Sequence, residues 1–328
     1  MDPLHIGVIG LGVMGQRMLA RLADHPRLRA THVWDADASA MARTLQAHPG
    51  LGLQAADSAQ ALIAAPGLHS LYIATPPAPH MALSNLAFDA GLAVLCEKPL
   101  TVDFDAARQT IARIQAQGLR AAVNFSLASS PGLAVLQQAW QQQPGGLLGR
   151  ALSAQVELAF AAWPRPWQAA AGAWLAQRAE GGFTREVLSH FIFVLQRVLG
   201  PARVLQAQPV YPADGLGAET ALQARLEAGG IPIEIAARIG GEVDDHNRLL
   251  LRGSQGEIEL REWFGVQQRR HGDAAATTPD DAATLRSRGQ ADQLTQWVAL
   301  IEGRPHGLPG FAEALAVQQT IEALLAGA

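Results

Sequence analysis

Residues 5–15 read HIGVIGLGVMG, and they decide the fold of the first half of the chain. Residues 5–9 are a short apolar run of the kind that forms a buried strand. Gly10 to Gly15 follow with the spacing Gly-x-Gly-x-x-Gly, and a helical pattern continues from Gln16 to Asp24. A glycine turn that joins a strand to a helix predicts a βαβ unit with a dinucleotide site at the turn.

Each glycine of this turn has its own expected role. Gly10 permits the tight turn, Gly12 lets the backbone approach a pyrophosphate, and Gly15 allows the helix to pack closely on the strand. Val13 and Met14 lie where the helix N-terminus faces the anion, so we expect them to contact the cofactor as well. The alternative is a glycine turn that binds nothing.

The second predicted strand, residues 29–34, ends on an acid, because Asp35 lies 20 residues after Gly15. A carboxylate at this position accepts hydrogen bonds from ribose hydroxyls and repels a 2′-phosphate. No basic residue follows until Arg43. The sequence therefore predicts NAD as the cofactor, in preference to NADP.

Strands and helices keep alternating up to about residue 124. Strand-like runs at 70–74, 92–95 and 121–123 alternate with helical stretches at 80–90 and 103–117. This alternation predicts a parallel, doubly wound sheet, in which ligands bind beyond the carboxyl ends of the strands. The residues expected at those ends are Gly10, Asp35, Thr75, Glu97–Pro99 and Asn124.

The pattern then changes, which divides the chain into predicted domains 1–123 and 124–328. The strands predicted in the second domain are 150–160, 203–211, 220–228, 231–239, 246–252 and 256–264. The helices predicted there are 183–199, 288–302 and 311–326, with a loop at 272–284. Gly229-Gly230 and residues 253–256 supply hairpin turns. The fold class is therefore α/β, with an N-terminal Rossmann domain and a C-terminal α+β domain whose sheet is largely antiparallel.

The composition excludes several classes of protein. Of the 328 residues, 49% are hydrophobic and 16% charged, the net charge is −4, and Lys98 is the single lysine among 25 basic residues. Lys98 lies between Glu97 and Pro99, so there is no Walker phosphate loop. The single cysteine, Cys96, excludes a disulfide within the chain and a Cys-rich zinc site. We expect no metal site.

The same sequence shows no sign of a nucleic-acid or membrane partner. No basic stripe occurs, and no apolar run reaches the about 18 residues of a membrane span. The first residues do not read as a signal peptide. We therefore expect a cytoplasmic protein that acts on a small molecule.

Four motifs carry a family resemblance. They are Gly10–Gly15, Thr75-Pro76-Pro77-x-x-His80, Glu97-Lys98-Pro99, and Gly181-Gly182 followed by Glu186 and His190. With these motifs in this order, the sequence resembles the glucose–fructose oxidoreductase / inositol dehydrogenase / MocA family. The resemblance implies NAD(P)-dependent oxidation or reduction of a sugar, polyol or related alcohol. It also implies an open C-terminal sheet through which a homo-oligomer, a dimer or tetramer, assembles.

The resemblance assigns cofactor contacts outside the glycine turn. They are Thr75, Pro76, His80, Glu97, Lys98 and Asn124. His80 opens the helix after the two prolines, where packing is an alternative role. Asn124 could contact the nicotinamide ribose or amide, and it could equally cap the next helix.

Lys98 is the first catalytic candidate. In relatives the bond between this lysine and the following proline is often cis, so we expect a cis bond before Pro99. A lysine near a nicotinamide can polarise a carbonyl or relay a proton, whereas arginine does not deprotonate in proteins. The alternatives are a surface lysine and a Schiff-base nucleophile.

Glu186 and His190 are the other two catalytic candidates. Their i, i+4 spacing places them on one face of the predicted helix. Histidine suits general acid/base work near neutral pH, and a neighbouring carboxylate can orient it. The family pattern has Asp where this chain has Glu186. A histidine buried in the core is the alternative.

The substrate candidates are Trp163, Arg165 and Arg185. Many relatives have an arginine shortly after Asn124, but residues 124–130 here read NFSLASS. A pocket with hydroxyls and no arginine suits a neutral substrate, unless Arg165 or Arg185 serves instead. Trp163 belongs to a rigid aromatic loop, WPRPW, that predicts either a substrate lid or buried anchors.

The resulting prediction is an NAD(P)-dependent dehydrogenase or reductase acting on CH–OH groups. Hydride passes between the nicotinamide and a carbinol or carbonyl carbon, while Lys98 and His190 handle the hydroxyl proton and Glu186 orients His190. The alternative is a non-catalytic regulator of the same fold that binds the dinucleotide.

Overall fold

The computed structural model describes residues 2–243, 245–278 and 280–327. The chain forms two compact units. The first unit runs to Phe125 and also contains Gln293–Leu315, and the second contains Ser126–Asp292 and the chain from Ala316 onward. The sequence-based division placed everything after residue 123 in one domain. The difference is the return of 293–315 to the first unit, where its apolar residues complete the core.

The first unit is built on a parallel sheet in the strand order β3-β2-β1-β4-β5-β6. Its strands are β1 Leu4–Ile9, β2 Leu28–Trp34, β3 Gln54–Ala55, β4 Ser70–Ile73, β5 Ala93–Glu97 and β6 Ala121–Asn124. This is the order of a dinucleotide-binding Rossmann sheet, with a change of direction between β1 and β4. The predicted fold class is confirmed for this unit, and the strand bounds agree within about two residues, except that the short β3 was not foreseen.

Five α-helices cross over between these strands. They are α1 Val13–Ala23, α2 Ala38–Ala47, α3 Ala59–Ile63, α4 His80–Asp89 and α5 Phe104–Gln117. Asp37, Ser58 and Asp103 begin α2, α3 and α5, since each side chain accepts a backbone N–H of the first turn. Gly118 ends α5 in the left-handed conformation. A short 3₁₀ helix, Pro49–Leu51, follows α2.

The core of the first unit includes the late segment of the chain. Trp297 is fully buried with Leu294 and Val298 among the strand residues. Its indole N–H donates to Ser70 Oγ at 3.0 Å, and its ring lies 6.0 Å from that of Tyr72. The strands that end at the candidate site are therefore packed from one side by a helix distant in sequence.

The second unit is built on a seven-stranded sheet in the order β13-β12-β11-β7-β10-β9-β8. Its strands are β7 Ala151–Phe160, β8 Arg203–Val210, β9 Ala221–Ala228, β10 Ile231–Ile239, β11 His246–Gly253, β12 Gly256–Arg261 and β13 Gly265–Arg270. Among the described strands of this sheet, β7 and β10 are the one pair that is parallel. The predicted largely antiparallel sheet is confirmed, as are both hairpin turns, with Gly229 and Gly230 at positive φ.

At the end of this sheet, one predicted strand bound was wrong and one strand was not foreseen. The strand predicted to reach residue 264 ends at Arg261, because Glu262 and Trp263 turn the chain at positive φ. A further strand, β13, then pairs with β12. Its sequence, GVQQRR, has too little apolar alternation to be recognised without the pairing.

The helices of the second part of the chain differ from prediction at two starts. They are α6 Pro131–Gln141, α7 Ser189–Leu199, α8 Ala282–Ile301 and α9 Phe311–Ala326, with 3₁₀ helices at Pro166–Ala171 and Ala173–Ala176 and a π-helix at Thr184–Leu188. The predicted loop 272–284 is wrong at its end, because α8 begins at residue 282, where the Asp281 carboxylate accepts the N–H groups of Ala283 and Thr284. In the described parts of the chain, no helix combines the length and apolarity needed to cross a membrane.

Candidate active site

At two positions of the turn after β1, packing within the protein leaves no space for any side chain larger than that of glycine. Gly10 has φ +92°, and a Cβ there would stand 2.6 Å from the backbone N of Thr75. A Cβ on Gly15 would collide with the carbonyl oxygen of Gly10. The absence of a side chain at Gly10 and Gly15 therefore allows β1, α1 and the segment after β4 to pack closely together.

Gly12 has no such internal reason to be glycine. Its φ is −69°, which any residue adopts, and a Cβ on it would meet no described heavy atom within 4 Å. Glycine at an unstrained position facing open space fits a site where a ligand approaches the backbone. The turn thus leaves the backbone of Gly12 accessible, as the predicted approach of a pyrophosphate requires.

The N-terminus of α1 fits the same anion. Gly12 is its N-cap, no side chain caps it, and its first turn contains no acidic residue. The first N–H groups of a helix have no partner within the helix, and the helix dipole favours a negative charge there. Val13 and Met14, both half-buried, provide N–H groups of this turn.

Asp35 lies beside the turn at the end of β2. Its Oδ2 accepts the N–H of Leu11 at 2.6 Å, and its Oδ1 accepts the N–H of Asp37 at 2.8 Å. Two backbone donors therefore orient a half-buried carboxylate, which retains lone pairs for further donors. Arg43, the next basic residue, donates to Ser39 Oγ at 2.8 Å.

Thr75 follows β4 and adjoins Gly10. Its hydroxyl oxygen is buried and has no hydrogen-bond partner among the residues that the structure describes. Buried polar groups are normally paired, so an unpaired hydroxyl here fits a contact to a bound molecule. Pro76, the next residue, is exposed.

His80 is fully buried and joins two loops. Its Nε2 lies 3.0 Å from the carbonyl oxygen of Thr75, and its Nδ1 lies 3.2 Å from that of Leu100. Burial lowers the pKa of His80, while bonds to backbone carbonyls oppose that shift. The imidazole therefore links the turn after β4 to the segment after Pro99. Both of its ring nitrogens are paired with backbone carbonyl oxygens.

Glu97 and Asn124 belong to a buried hydrogen-bond network. The Tyr72 hydroxyl donates to Glu97, and Asn124 Nδ2 donates to Glu97 Oε1 at 2.6 Å. Gln293 Nε2 donates to Asn124 Oδ1 at 2.6 Å, and Arg21 donates to Gln293 at 3.3 Å. Burial, followed by the Glu97 charge, raises the pKa of Tyr72.

This network corrects one alternative for Asn124. The side chain does not cap the next helix, because the N-cap of α6 is Ser130, whose own hydroxyl accepts the N–H of Gly132 at 3.2 Å. Tyr72 and Gln293 were not recognised from the sequence. Nothing in the local pattern indicates that Gln293, 169 residues from Asn124, reaches it.

Lys98 comes directly after β5 and is half-buried. The expected cis bond between Lys98 and Pro99 is confirmed. Cys96, two residues before Lys98, is fully buried, and burial raises the pKa of its thiol. A buried thiol of raised pKa is unreactive, so Cys96 is not a candidate for chemistry at this strand end.

In the second unit, the Gly181-Gly182 pair begins the helical segment that carries Glu186 and His190. Gly182 has φ +99°, and a Cβ there would collide with the Glu219 carboxylate. Glu219 Oε1 accepts the N–H of Thr184 at 2.7 Å. Burial raises the pKa of Glu219. Glu219 therefore anchors the start of this segment, a role that sequence reasoning missed.

The predicted continuous helix over 183–199 is wrong in its first turn. Thr184–Leu188 is a π-helix, and α7 begins only at Ser189. Glu186 lies in the π-helical turn and His190 in the first turn of α7, where it is 4% exposed. Short π-helical segments occur frequently at functional sites, which agrees with the placement of both candidates.

A cluster of aromatic and charged side chains surrounds His190 in this unit. The Trp263 ring lies 5.3 Å from the imidazole, nearly perpendicular to it. Trp263 Nε1 donates to Asp245 Oδ2 at 3.0 Å, and Arg165 forms an ion pair with the same oxygen. Arg165 is buried, which lowers its pKa, while the charges of Asp245 and then Glu186 oppose that shift.

The three substrate candidates all support the second unit. The charge of Arg165 is balanced by Asp245, and its guanidinium lies 4.7 Å from the Trp167 ring. Arg185 Nε and Nη2 each donate to the Glu322 carboxylate at 2.7 Å. Trp163 Nε1 donates to the carbonyl oxygen of Leu175 at 3.0 Å. The aromatic loop is thus anchored, with Trp167 its most exposed ring.

The strand order and the glycine turn define the first unit as a Rossmann-type dinucleotide-binding domain. Residues 4–125 match the model of an oxidoreductase family described as having an NAD-binding Rossmann fold. The predicted resemblance to the glucose–fructose oxidoreductase / inositol dehydrogenase / MocA family is therefore confirmed over residues 4–125.

Similarity to individual proteins is partial in sequence and extensive in structure. The chain is 30% identical over 151 residues to inositol 2-dehydrogenase 4 of Saccharopolyspora erythraea, covering 45% of this chain and 43% of that protein. The chain thus spans less than half the length of this curated relative. The structure of levoglucosan dehydrogenase in complex with NADH and L-sorbose matches with TM-score 0.83 at 18% identity, over 99% of this chain and 96% of that one.

A second solved structure bears on the cofactor. A 3-ketoreductase from Actinomadura kijaniata, in complex with NADP and TDP-benzene, matches with TM-score 0.81 at 19% identity, over 99% of this chain and 98% of that one. Identities at this level show the shared fold. The same fold holds NADH in one of these structures and NADP in the other.

Proposed function

We propose that this protein is an NAD-dependent oxidoreductase acting on a CH–OH group of a neutral sugar or polyol. The observation that carries the proposal is the turn at Gly12, which faces open space beside the uncapped N-terminus of α1. The similar proteins, an inositol dehydrogenase and a levoglucosan dehydrogenase among them, are oxidoreductases. This favours catalysis over the non-catalytic regulator.

The first unit binds the dinucleotide. The N–H groups at the start of α1 bind the pyrophosphate, and Asp35 accepts hydrogen bonds from the ribose hydroxyls. The Thr75 hydroxyl forms a hydrogen bond with the bound dinucleotide. Buried hydrogen bonds stabilise the segments that follow the strands. They are made by His80 to the carbonyl oxygen of Thr75 and by Asn124 to Glu97. When bound, NAD supplies the acceptor for the hydride.

Lys98 and His190 handle the proton of the substrate hydroxyl. Oxidation of an alcohol releases a proton for each hydride, and a side chain of suitable basicity takes it up. Glu186 orients His190 from the turn that precedes it. The assignment between the two bases is tested by replacing each separately.

The pairing of Arg165 and Arg185 favours a neutral substrate. An anionic substrate requires a cation that is not already neutralised. Arg165 is paired with Asp245 and Arg185 with Glu322. A sugar or polyol also agrees with the names of the similar proteins, an inositol 2-dehydrogenase and a levoglucosan dehydrogenase.

NAD is the preferred cofactor, because Asp35 repels a 2′-phosphate. The experiment that tests the whole proposal is NADH formation from NAD with a panel of inositols, other polyols, aldoses and anhydrosugars, each repeated with NADP. Turnover of a neutral member with NAD supports the proposal. NAD binding with no turnover across the panel contradicts it. The cytoplasmic location and the homo-oligomer through the C-terminal sheet stay predictions.

A further inference from the structure

The turn between β12 and β13 has an uncommon backbone. Glu262 and Trp263 have φ of 51° and 70°, and no other non-glycine residue has positive φ in the described ranges. L residues rarely adopt this region, because their Cβ crowds the backbone. Such a conformation persists only when surrounding contacts impose it. The contacts of Trp263 therefore show what this turn holds in place.

Trp263 is anchored through both of its N–H groups. Its indole Nε1 donates to Asp245 Oδ2 at 3.0 Å, and its backbone N donates to Asn247 Oδ1 at 2.7 Å. Asn247 Nδ2 in turn donates to Asp245 Oδ1 at 3.0 Å. Arg165 supplies the counter-charge of this carboxylate. The indole is thus fixed by a closed set of polar contacts.

The anchored indole lies against the imidazole of His190. The two ring centroids are 5.3 Å apart at an interplanar angle of 78°, while Phe191 lies 5.9 Å from the same indole. Edge-to-face pairs are a preferred arrangement of aromatic rings. Rotation of the imidazole would lose this contact, so a fixed indole restricts the direction in which the ring nitrogens point.

We propose that Trp263 is a positioning residue that holds the imidazole of His190 in the orientation required for proton transfer. The inference rests on the proposed role of His190. Asp245 and Asn247 act one step further out, because they hold the indole. A base must lie within hydrogen-bond reach of its proton, so a reoriented ring slows the chemical step and leaves cofactor binding intact.

Four variants of the full chain, studied with NAD bound, test this inference. Trp263→Leu removes the indole, and Trp263→Phe keeps an aromatic ring but loses the bond to Asp245. Asp245→Asn keeps an acceptor for the indole and removes the charge. Glu262→Gly is the matched control, because it changes the neighbouring left-handed residue and none of the side chains that anchor Trp263.

Two measurements are made on each variant. Initial rates with myo-inositol as the probe give kcat and KM. The ¹⁵N signals of the His190 imidazole, in histidine-labelled protein and assigned with His190→Gln, report the tautomer and mobility of the ring. The second measurement does not depend on turnover, so it shows whether the indole holds the imidazole even if myo-inositol is not oxidised.

We expect Trp263→Leu to lower kcat about 10- to 100-fold, as misplacement of a catalytic group does. KM should change less than about 2-fold, because the interaction lost is made in the transition state. The His190 signals should shift or broaden, with Trp263→Phe and Asp245→Asn intermediate and Glu262→Gly like wild type.

Wild-type His190 signals in Trp263→Leu would overturn the inference, and Trp263→Phe provides the same test if the leucine variant does not fold. A rise in KM alone would also overturn it, because that result assigns Trp263 to the substrate. His190→Gln distinguishes the proposed role of His190 in proton transfer from the positioning of its ring by Trp263. If this variant retains full activity, the role of His190 fails. The ¹⁵N signals of the Trp263 variants still show whether the indole holds the ring.

Discussion

Replacing Gly12 with alanine should separate cofactor binding from folding. Gly12 has φ −69°, and a Cβ added to it meets no described heavy atom within 4 Å. Alanine loses about 0.4–1 kcal/mol less conformational entropy on folding. It is also a poorer N-cap than glycine by roughly the same amount. We therefore expect the free energy of unfolding of Gly12→Ala to lie within about 1 kcal/mol of wild type.

The effect on NAD binding should be much larger. The added methyl group occupies the space that the turn leaves open beside the N-terminus of α1. Moving the pyrophosphate away from these N–H groups loses one or two hydrogen bonds to a charged group, about 3 kcal/mol in all. Since each 1.4 kcal/mol is tenfold, the Kd for NAD should rise about 100-fold.

Titration calorimetry with NAD and urea unfolding without NAD measure the two quantities. Gly10→Ala is the matched control, because its φ of +92° and the nearby backbone of Thr75 reject a Cβ. This control should lose more than about 2 kcal/mol of stability. Wild-type NAD affinity in Gly12→Ala would refute the reasoning, and so would equal destabilisation of the two variants.

Three further replacements test single residues. Lys98→Arg should leave the melting temperature and the Kd for NAD near wild type and lower kcat about 10²- to 10⁴-fold, because arginine retains its proton; a near wild-type rate would assign the proton chemistry to His190. Asp35→Asn should lower the ratio of kcat/KM for NAD over NADP about 10-fold or more, because it removes the charge that repels a 2′-phosphate; an unchanged ratio in initial-rate assays would contradict the role of Asp35. Burial raises the pKa of Glu219 in the folded state, so its contribution to stability is present below the unfolded pKa and is lost as the pH rises through the raised value. Glu219→Gln keeps an acceptor for the Thr184 N–H and removes the loss of stability that accompanies ionisation of Glu219. The free energy of unfolding from urea titrations should therefore depend less on pH above about pH 4. A steeper dependence would contradict the explanation.

Local patterns sufficed for most of the N-terminal part of the first unit, but they did not indicate β3 or the return of residues 293–315 to this unit. Residues 5–15 combine a buried strand, a glycine turn and a helix, and such a unit is recognised from neighbouring residues alone. The second unit was less predictable where pairing or capping decides the structure. β13 forms because β12 is beside it, and α8 begins early because Asp281 accepts two N–H groups of its first turn. The π-helical turn before α7 accompanies an anchor, Glu219, that lies 35 residues from Thr184.

The candidate site divides in the same way. Gly12 and Asp35 were read from spacing along the chain, whereas Lys98 and His190 were assigned from short motifs that resemble those of the family. The state of the side chains around them depends on partners far away in sequence. Arg165 is balanced by Asp245 at a separation of 80 residues, and Arg185 by Glu322 at a separation of 137. Only the folded chain brings such charges together, and their pairing is what leaves a neutral substrate as the proposed one.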